Sequence, residues 1–325
     1  MRGITRRLAV QGGLASAALQ GFPALAQSWP ARPLRLVVPF AAAGATDLAA
    51  RVVAQALGDR LGQNVIVENR PGAGAMLGTE SVAKAPADGY TLLFGSSDGL
   101  SIGPQMKRRL PYDPVTAFTP VALVAYVPVV YIVHAGFPPN TVAELVAAAK
   151  AKPGAIRYGS AGVGSILHMA GALLEVRTGT NLTHVPYRGG APMLADLASG
   201  QIELGVATAE LAQRFAGKVR AIAQASPTRH PLLPNVPTTA EAGVADAIVV
   251  SNFGVVGPAG LPEAIVNRLA TELAAIAATQ PFRQKMIDLG GVAAFESPPS
   301  FGRLIADENR KWKTVIAEAR IEQLE

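Results

Sequence analysis

Two rhythms of apolar and polar positions alternate along this chain. Short runs of branched and aromatic residues, bounded by proline, glycine or small residues, read as buried strands; longer stretches with apolar residues three and four apart read as helices. The first run is Leu34–Val38, closed by Pro39. A loop of small residues follows over 40–45. Thr46 is placed to cap a helix over 47–61, with Leu48, Val52, Ala56 and Leu57 on its apolar face. A strand over 65–68, a loop over 70–74, a helix over 76–84 and a strand over 90–94 complete the series. Strand–helix alternation of this kind predicts a parallel α/β sheet.

The middle of the chain repeats the pattern. Residues 121–134 form an apolar stretch broken by Pro128, too long for one ordinary strand. It reads as two strands, or as one that passes between domains. Thr141 and Glu144 form a capping box for a helix to Lys152. A strand over 156–159, a glycine loop over 160–164 and a helix capped by Ser165 and ended by Gly179 come next. Thr183–Pro186 is a strand, and Pro192 suits the first position of the following helix. Strands over 202–207 and 219–224 follow, and Thr238 with Glu241 predicts a short capped helix closed by Gly243. Residues 248–256 are a second long apolar stretch, read as a return crossing. Helices then begin at Pro262 and Pro281, and an amphipathic helix spans 301–319. The whole predicts two α/β domains. Residues 27–125 and 251–325 make a discontinuous first domain, and residues 126–250 make the second. Two crossings form a hinge, and ligands favour the cleft between such domains.

The first 26 residues follow neither rhythm. Arg6 and Arg7 precede an uncharged Ala/Gly/Leu-rich run over 8–25, and Ala24 and Ala26 supply small residues before Gln27. This is the pattern of a cleaved secretory signal with a twin-arginine flavour, and it places the mature chain in the periplasm. Pro23 argues against a buried helix there. The run is also shorter than the roughly 20 residues that a membrane span needs. The formal charge of +6 includes Arg2, Arg6 and Arg7 of this leader, which holds no acid, so the mature charge is +3. Lys107, Arg108 and Arg109 form a short basic run without interleaved aromatics, which excludes a nucleic-acid partner. Cysteine is absent, so disulfides, thiolate metal sites and a lipidated anchor are excluded. His134, His168, His184 and His230 lack zinc-ligand spacing, and no metal site is expected.

Three places share one design of strand, small-residue loop and helix N-terminus: residues 39–47, 159–168 and 186–192. Free N–H groups and the helix dipole favour an anion at such sites. Gly44, Gly162, Gly164, Gly189 and Gly190 allow close backbone approach. The ligand they predict is a small carboxylate held largely by main chain. Ser160 and Ser165 are candidate donors to it, although Ser165 reads equally as a plain helix cap. His168 on the first helical turn is a candidate contact or a buried core imidazole. Asp47 suits the helix dipole, or an amino group of a ligand. Arg188 is a candidate anion partner or a surface charge. Ser96, Ser97 and Asp98 end a strand and can wall a cleft. An enzyme reading finds little support. Ser165 and His168 share a helix face, but the G-x-S-x-G elbow and an orienting acid are missing. No dinucleotide fingerprint or P-loop lysine is present, and no cofactor is expected.

Eight motifs run in order along the chain: Val38-Pro39-Phe40 through Asp47 with Ala50-Arg51; Glu68-Asn69-Arg70-Pro71-Gly72-Ala73-Gly74; Ala87-Asp88-Gly89-Tyr90; Leu110-Pro111-Tyr112-Asp113-Pro114; Gly162-Val163-Gly164-Ser165 with His168; His184-Val185-Pro186-Tyr187-Arg188-Gly189-Gly190; Gly200-Gln201-Ile202-Glu203; and Val236-Pro237-Thr238 through Gly243. In these the chain resembles the TctC/Bug family of extracytoplasmic solute receptors, the binding components of tripartite tricarboxylate transporters. The resemblance implies an α/β, two-domain periplasmic binding protein type II-like fold with two interdomain crossing segments. It implies a monomer that closes around one small carboxylated solute and meets membrane transporter subunits transiently. By position it points to Phe40, Ala43, Gly44, Asp47, Ser96, Ser97, Asp98, Ser160, Ala161, Gly162, Val163, Gly164, Ser165 and His168 as ligand contacts, with ordered waters contributing. The chain departs from the family pattern at Ala43-Gly44, where a Gly-Gly pair is common, and at Gly103-Pro104, where Asn often precedes the proline. It departs again at Val206-Ala207-Thr208, where a Phe-Asp-like pair often faces the cleft and Thr208 is the candidate contact. The missing Asp beside Thr208 points to a solute without an ammonium group, such as a di- or aromatic carboxylate. A sensor domain of a two-component system is the alternative partner, and a periplasmic hydrolase the more distant alternative.

Overall fold

The structure, a computed structural model, describes residues 29–324. The leader read over residues 1–26 lies outside the described residues. β1 (Leu34–Val38) lies between β2 (Val65–Asn69) and β3 (Thr91–Gly95), all parallel, with α1 (Ala45–Leu61) and α2 (Met76–Ala83) as the crossovers. β3 is buried along its whole length, as a parallel strand covered on both faces must be. α1 starts from Gly44, not Thr46, and no side chain caps it from the N-cap position. Asp47 in its first turn takes over that work (below).

After β3 a π-helical turn (Asp98–Ile102) and α3 (Gly103–Met106) lead into β4 (Phe118–His134). β4 is one strand, not two, and it changes partners along its length. Up to Pro128 it pairs antiparallel with β9 (Val250–Pro258), and around residues 123–126 with β10 (Val292–Glu296). From Val129 on it pairs antiparallel with β7 (Leu204–Thr208), and from Val130 with β8 (Val219–Gln224). Pro128 has no N–H to give to either ladder, so the exchange falls where the backbone already lacks a donor. Beyond β7 lie β5 (Arg157–Ser160) and β6 (Thr183–Pro186), in parallel. The strand order is β2-β1-β3-β9-β4-β7-β5-β6, a curled sheet of two halves joined through β4 and β9.

Helices α4 (Val142–Ala151), α5 (Ile166–Thr178), α6 (Gly190–Ala198) and α7 (Ala209–Arg214) belong to the second half. α8 (Glu263–Ala277), α9 (Gln280–Asp288) and α10 (Pro298–Glu318) follow β9. One core cluster gathers Leu36, Val53, Leu92, Val255 and Leu269; another gathers Tyr131, Leu173 and Val206. The second cluster also takes in Ile102 and Met106 from before β4, and Trp312, Val315 and Ile316 from α10. The mixed α/β class agrees with the sequence reading. Besides the cap of α1, three local features differ from it. Residues 238–243 form hydrogen-bonded turns and no helix. The reciprocal box is present, with the Glu241 N–H on Thr238 Oγ1 at 3.2 Å and the Thr238 N–H on the Glu241 carboxylate at 2.7 Å. Gly243, at φ 84°, ends it at once. α6 begins at Gly190, ahead of Pro192. β10 was not foreseen, because its alternation is carried by alanines.

Candidate functional site

Loops from both halves of the sheet meet around a cavity of about 380 Å³. Phe40 comes from the loop after β1, and Ala73, Gly74 and Met76 come from the turn into α2. Asp98, Gly103, Met106 and Lys107 come from the segment after β3. Ala161, Gly162, Val163, Gly164 and Ser165 form the wall from the second half, and Leu324 beyond α10 closes the outline. Asp98 and Lys107 are its charged lining residues; the rest is mostly glycine and apolar side chain. A larger hollow of about 700 Å³ lies between α1 and β2, lined by Arg51, Gln55 and Asn64 among others. It faces outward along one helix and an edge strand. No loop from the second half reaches it, so the smaller cavity is the candidate site.

The loop after β1 is held by buried polar groups beneath it. The Asp47 side chain is 1% exposed. Its carboxylate accepts the Ala43 N–H at 2.9 Å, Arg51 Nε at 3.0 Å and Asn69 Nδ2 at 2.9 Å. Asn69 Nδ2 also donates to the Phe40 carbonyl at 3.1 Å. Burial pushes the Asp47 carboxyl up, but the bonds from Arg51, Ala43 and Asn69 outweigh it and hold the group below its usual range. Ala43 sits at φ 67°, a conformation that a non-glycine residue keeps only when its surroundings dictate it. Asp47 therefore shapes the loop that presents Phe40 and does not itself line the cavity.

The glycine loop after β5 is braced in the same way. Ser160 is fully buried, and its Oγ lies 2.7 Å from His184 Nε2 and accepts the Gly162 N–H at 3.2 Å. His168 Nδ1 accepts the Gly164 N–H at 3.1 Å, so this nitrogen carries no proton. The rings of His168 and His184 stack at 3.9 Å, and Tyr158 stacks on His184 at 4.8 Å. Burial holds His168 down at about 4; burial and its neighbour His168 hold His184 down at about 4. Both rings are neutral at pH 7. Ser165 Oγ donates to the Gly162 carbonyl at 2.7 Å and accepts the His168 N–H at 3.3 Å, which makes it the cap of α5. The Ser165 hydroxyl does not meet the His168 ring, so these two side chains do not form a nucleophile–base pair. The Gly162 and Gly164 N–H groups are spent inside the loop. The Val163 N–H has no partner among the described residues, and Val163 is 47% exposed on the cavity wall.

Asp98 spans the two halves. Its Oδ1 accepts the Ile166 N–H at the start of α5 at 3.3 Å, and Ser96 Oγ donates to Oδ2 at 3.4 Å. Burial among peptide and apolar groups pushes its carboxyl up, against these two bonds and one from its own backbone. Ser97 Oγ accepts the Asn252 N–H at 2.9 Å and donates to the Val250 carbonyl at 3.3 Å, which ties the end of β3 to β9. Met106 packs at the cleft as well: a Cβ on Gly164 would stand 3.2 Å from its Cγ.

Of the residues singled out in the sequence, Phe40, Asp98, Ala161, Gly162, Val163, Gly164 and Ser165 line the cavity. Asp47, Ser96, Ser97, Ser160 and His168 are buried behind the lining, while Ala43 and Gly44 are exposed on the loop after β1 and do not line the cavity. Arg188 and Thr208 lie elsewhere. Arg188 is exposed on the loop before α6, and Thr208 Oγ1 caps α7 through the Leu211 N–H at 3.4 Å. Ala207 is buried in β7, so this segment offers the cavity neither a side chain nor a charge. The sequence reading did not place Ala73, Gly74, Met76, Gly103, Met106, Lys107 and Leu324 at the site, because their spacing gives no local sign that they converge.

A family model, the tripartite tricarboxylate transporter family receptor, matches residues 49–321. The chain belongs to the tripartite tricarboxylate transporter receptor family. Receptors of this family are periplasmic solute-binding proteins. Among the relatives of this TctC/Bug chain is a protein from the tcbD-tcbE intergenic region of Pseudomonas sp. (strain P51), 37% identical over 90% of this chain and 88% of that protein. BugT of Bordetella pertussis is 34% identical over 97% of this chain and 98% of its own length. An R. palustris protein solved with adipate superposes with a TM-score of 0.78 at 36% identity, covering 91% of this chain and 100% of that one. MatC from Rhodopseudomonas palustris, solved with malate, superposes at 0.73 with 31% identity, covering 89% of this chain and 100% of its own. Among the described residues no helix is long and apolar enough to cross a membrane.

Proposed function

We propose that this receptor is exported by its leader, closes around a small carboxylated solute in the cavity between its two halves, and delivers it to the membrane subunits of a tripartite tricarboxylate-type transporter. The observation that carries this reading is the cavity itself. It is walled by both halves of the sheet, and Asp98 reaches across to the first N–H of α5. Residues 27–125 with 251–325, and residues 126–250, would be the lobes that close, with β4 and β9 as the hinge. Relatives that hold adipate and malate support a carboxylate as the solute.

The lining favours an acid with a hydrocarbon body and no ammonium group. The Val163 N–H has no partner among the described residues, and Phe40, Met76, Met106 and Leu324 supply apolar surface. Among the described residues Asp98 is the one acidic group on the wall, and burial disfavours its charge. This lessens the repulsion that a solute carboxylate would otherwise meet there. The test is calorimetric titration of the purified protein with adipate, malate, benzoate and L-glutamate, preceded by mass spectrometry of any solute carried through purification. Micromolar binding of adipate, malate or benzoate, with glutamate at least tenfold weaker, is the expected result. Tighter binding of glutamate, or binding of none of the four, overturns the reading.

A further inference from the structure

The chain past α10 folds back onto the cavity. Arg320 adopts φ 53°, a left-handed conformation that non-glycine residues keep only when the surrounding structure dictates it. The Ile321 N–H then bonds the Ile316 carbonyl at 3.0 Å, and the next residues run beside the segment around α3. The Leu324 N–H donates to the Met106 carbonyl at 2.6 Å, and the Arg108 N–H donates to the Leu324 carbonyl at 3.2 Å. Gln323 Nε2 donates to the Gln105 carbonyl at 2.9 Å, and Lys107 and Leu324 pair as an isolated parallel bridge. Leu324 lines the cavity together with Met106 and Lys107, and the residue is 43% exposed.

We propose that residues 321–324 are a wall of the solute site, and that Leu324 sets the length of the hydrocarbon body the cavity accepts. This rests on the reading of the cavity as the solute site and deepens it. Hydrogen bonds to fixed main chain on both sides of Lys107 hold this backbone in place, so the Leu324 side chain presents a defined surface. An apolar side chain left exposed in a small cavity is area for a ligand to cover. Each methylene that a solute buries there is worth about fourfold in affinity. Cutting the side chain back lengthens the cavity at that wall, and enlarging it shortens the cavity.

The test is calorimetric titration of the full chain and of Leu324→Ala and Leu324→Phe with the straight-chain diacids succinate, adipate and suberate, which differ only in methylenes. Thermal midpoints within ~2 °C of the parent show that each variant is folded. Leu324→Ala is expected to move the preference toward the longer diacids by about fourfold or more, and Leu324→Phe toward the shorter ones by a similar factor. A merely structural role for the tail would weaken all three diacids alike and leave their ratio unchanged. An unchanged ratio in both folded variants overturns the proposal and leaves the solute reading standing. A parent protein that binds none of the diacids overturns the proposal, and the same titrations with malate and benzoate then decide whether the solute reading falls with it. If Leu324→Ala does not fold, Leu324→Phe alone decides the question.

Discussion

His168 and His184 lie face to face at 3.9 Å, a spacing that suits two neutral rings and penalises a charged one. Each ring takes a polar atom of the glycine loop, so protonation is linked to the shape of the cavity wall. Both groups titrate at about 4 in the folded protein, against about 6.5 for a free imidazole. As pH falls from about 6.5 to about 4, the unfolded chain takes up protons that the folded chain refuses. Stability contributed by these rings is therefore full above pH 6.5 and is lost progressively across that window. Asp47, held below its usual range, adds its own loss only at lower pH, under the ordinary carboxylate range near 3.9. We expect urea-unfolding stability of the parent to fall between pH 7 and pH 4.5, and to fall less steeply in a His168→Gln/His184→Gln variant. Equal slopes for the two proteins would remove the imidazole pair as the cause. Sequence alone named His168 as a candidate contact but left open whether it was a core imidazole; its half-buried partner His184 stands on β6, and no local pattern could show the stack.

At the scale of elements, α5 is set against β5 by the absence of one side chain. A Cβ on Gly171 would stand 2.1 Å from Tyr158 Cε2, well inside contact distance. Gly171→Ala should force Tyr158 or the helix to shift and cost about 1–3 kcal/mol. Adding Tyr158→Leu should recover part of that loss, because the two sites share one contact. Fully additive losses in urea unfolding would place the cost elsewhere. α5 itself was legible: Ser165 caps it and Gly179 ends it in a left-handed turn. α1 was legible in extent but not in its cap, because the bond from the Ala43 N–H goes to an acid inside the first turn and not to the residue in front of the helix. The capping box at Thr238 was legible too, but a cap signals the start of a helix and says nothing of whether propagation follows.

At the scale of the molecule, the two halves are joined by more than two strands. Trp312 of α10 is fully buried in the cluster that includes Tyr131, Leu173 and Val206. The Lys311 ammonium donates to the Ile248 carbonyl at 2.8 Å beside it. Trp312→Ala should cost about 3–5 kcal/mol, as removal of a large buried aromatic does. The midpoint should fall by at least several degrees in calorimetry. A midpoint unchanged within ~1 °C would show that the packing of α10 on the second half adds nothing to stability. The loss should appear in one transition, because the same cluster holds Met106 of the cavity wall and Ile102 from the turn before it.

By itself the sequence determined most of the order of strands and helices, the α/β class and the loops that gather at the carboxyl ends of strands. Those properties follow from local periodicity, from proline and glycine, and from caps, all of which act over a few residues. Its ordered motifs were enough to point to the receptor family. Only the tertiary structure decided which of the gathered residues face the cavity. Asp47, Ser160 and His168 are spent on main-chain groups of the loops they support, while Met76, Met106, Lys107 and Leu324 arrive at the wall from separate segments. The physical reason is that a side chain's partners are set by hydrogen-bond geometry and packing between elements distant in the chain, and periodicity carries no record of either.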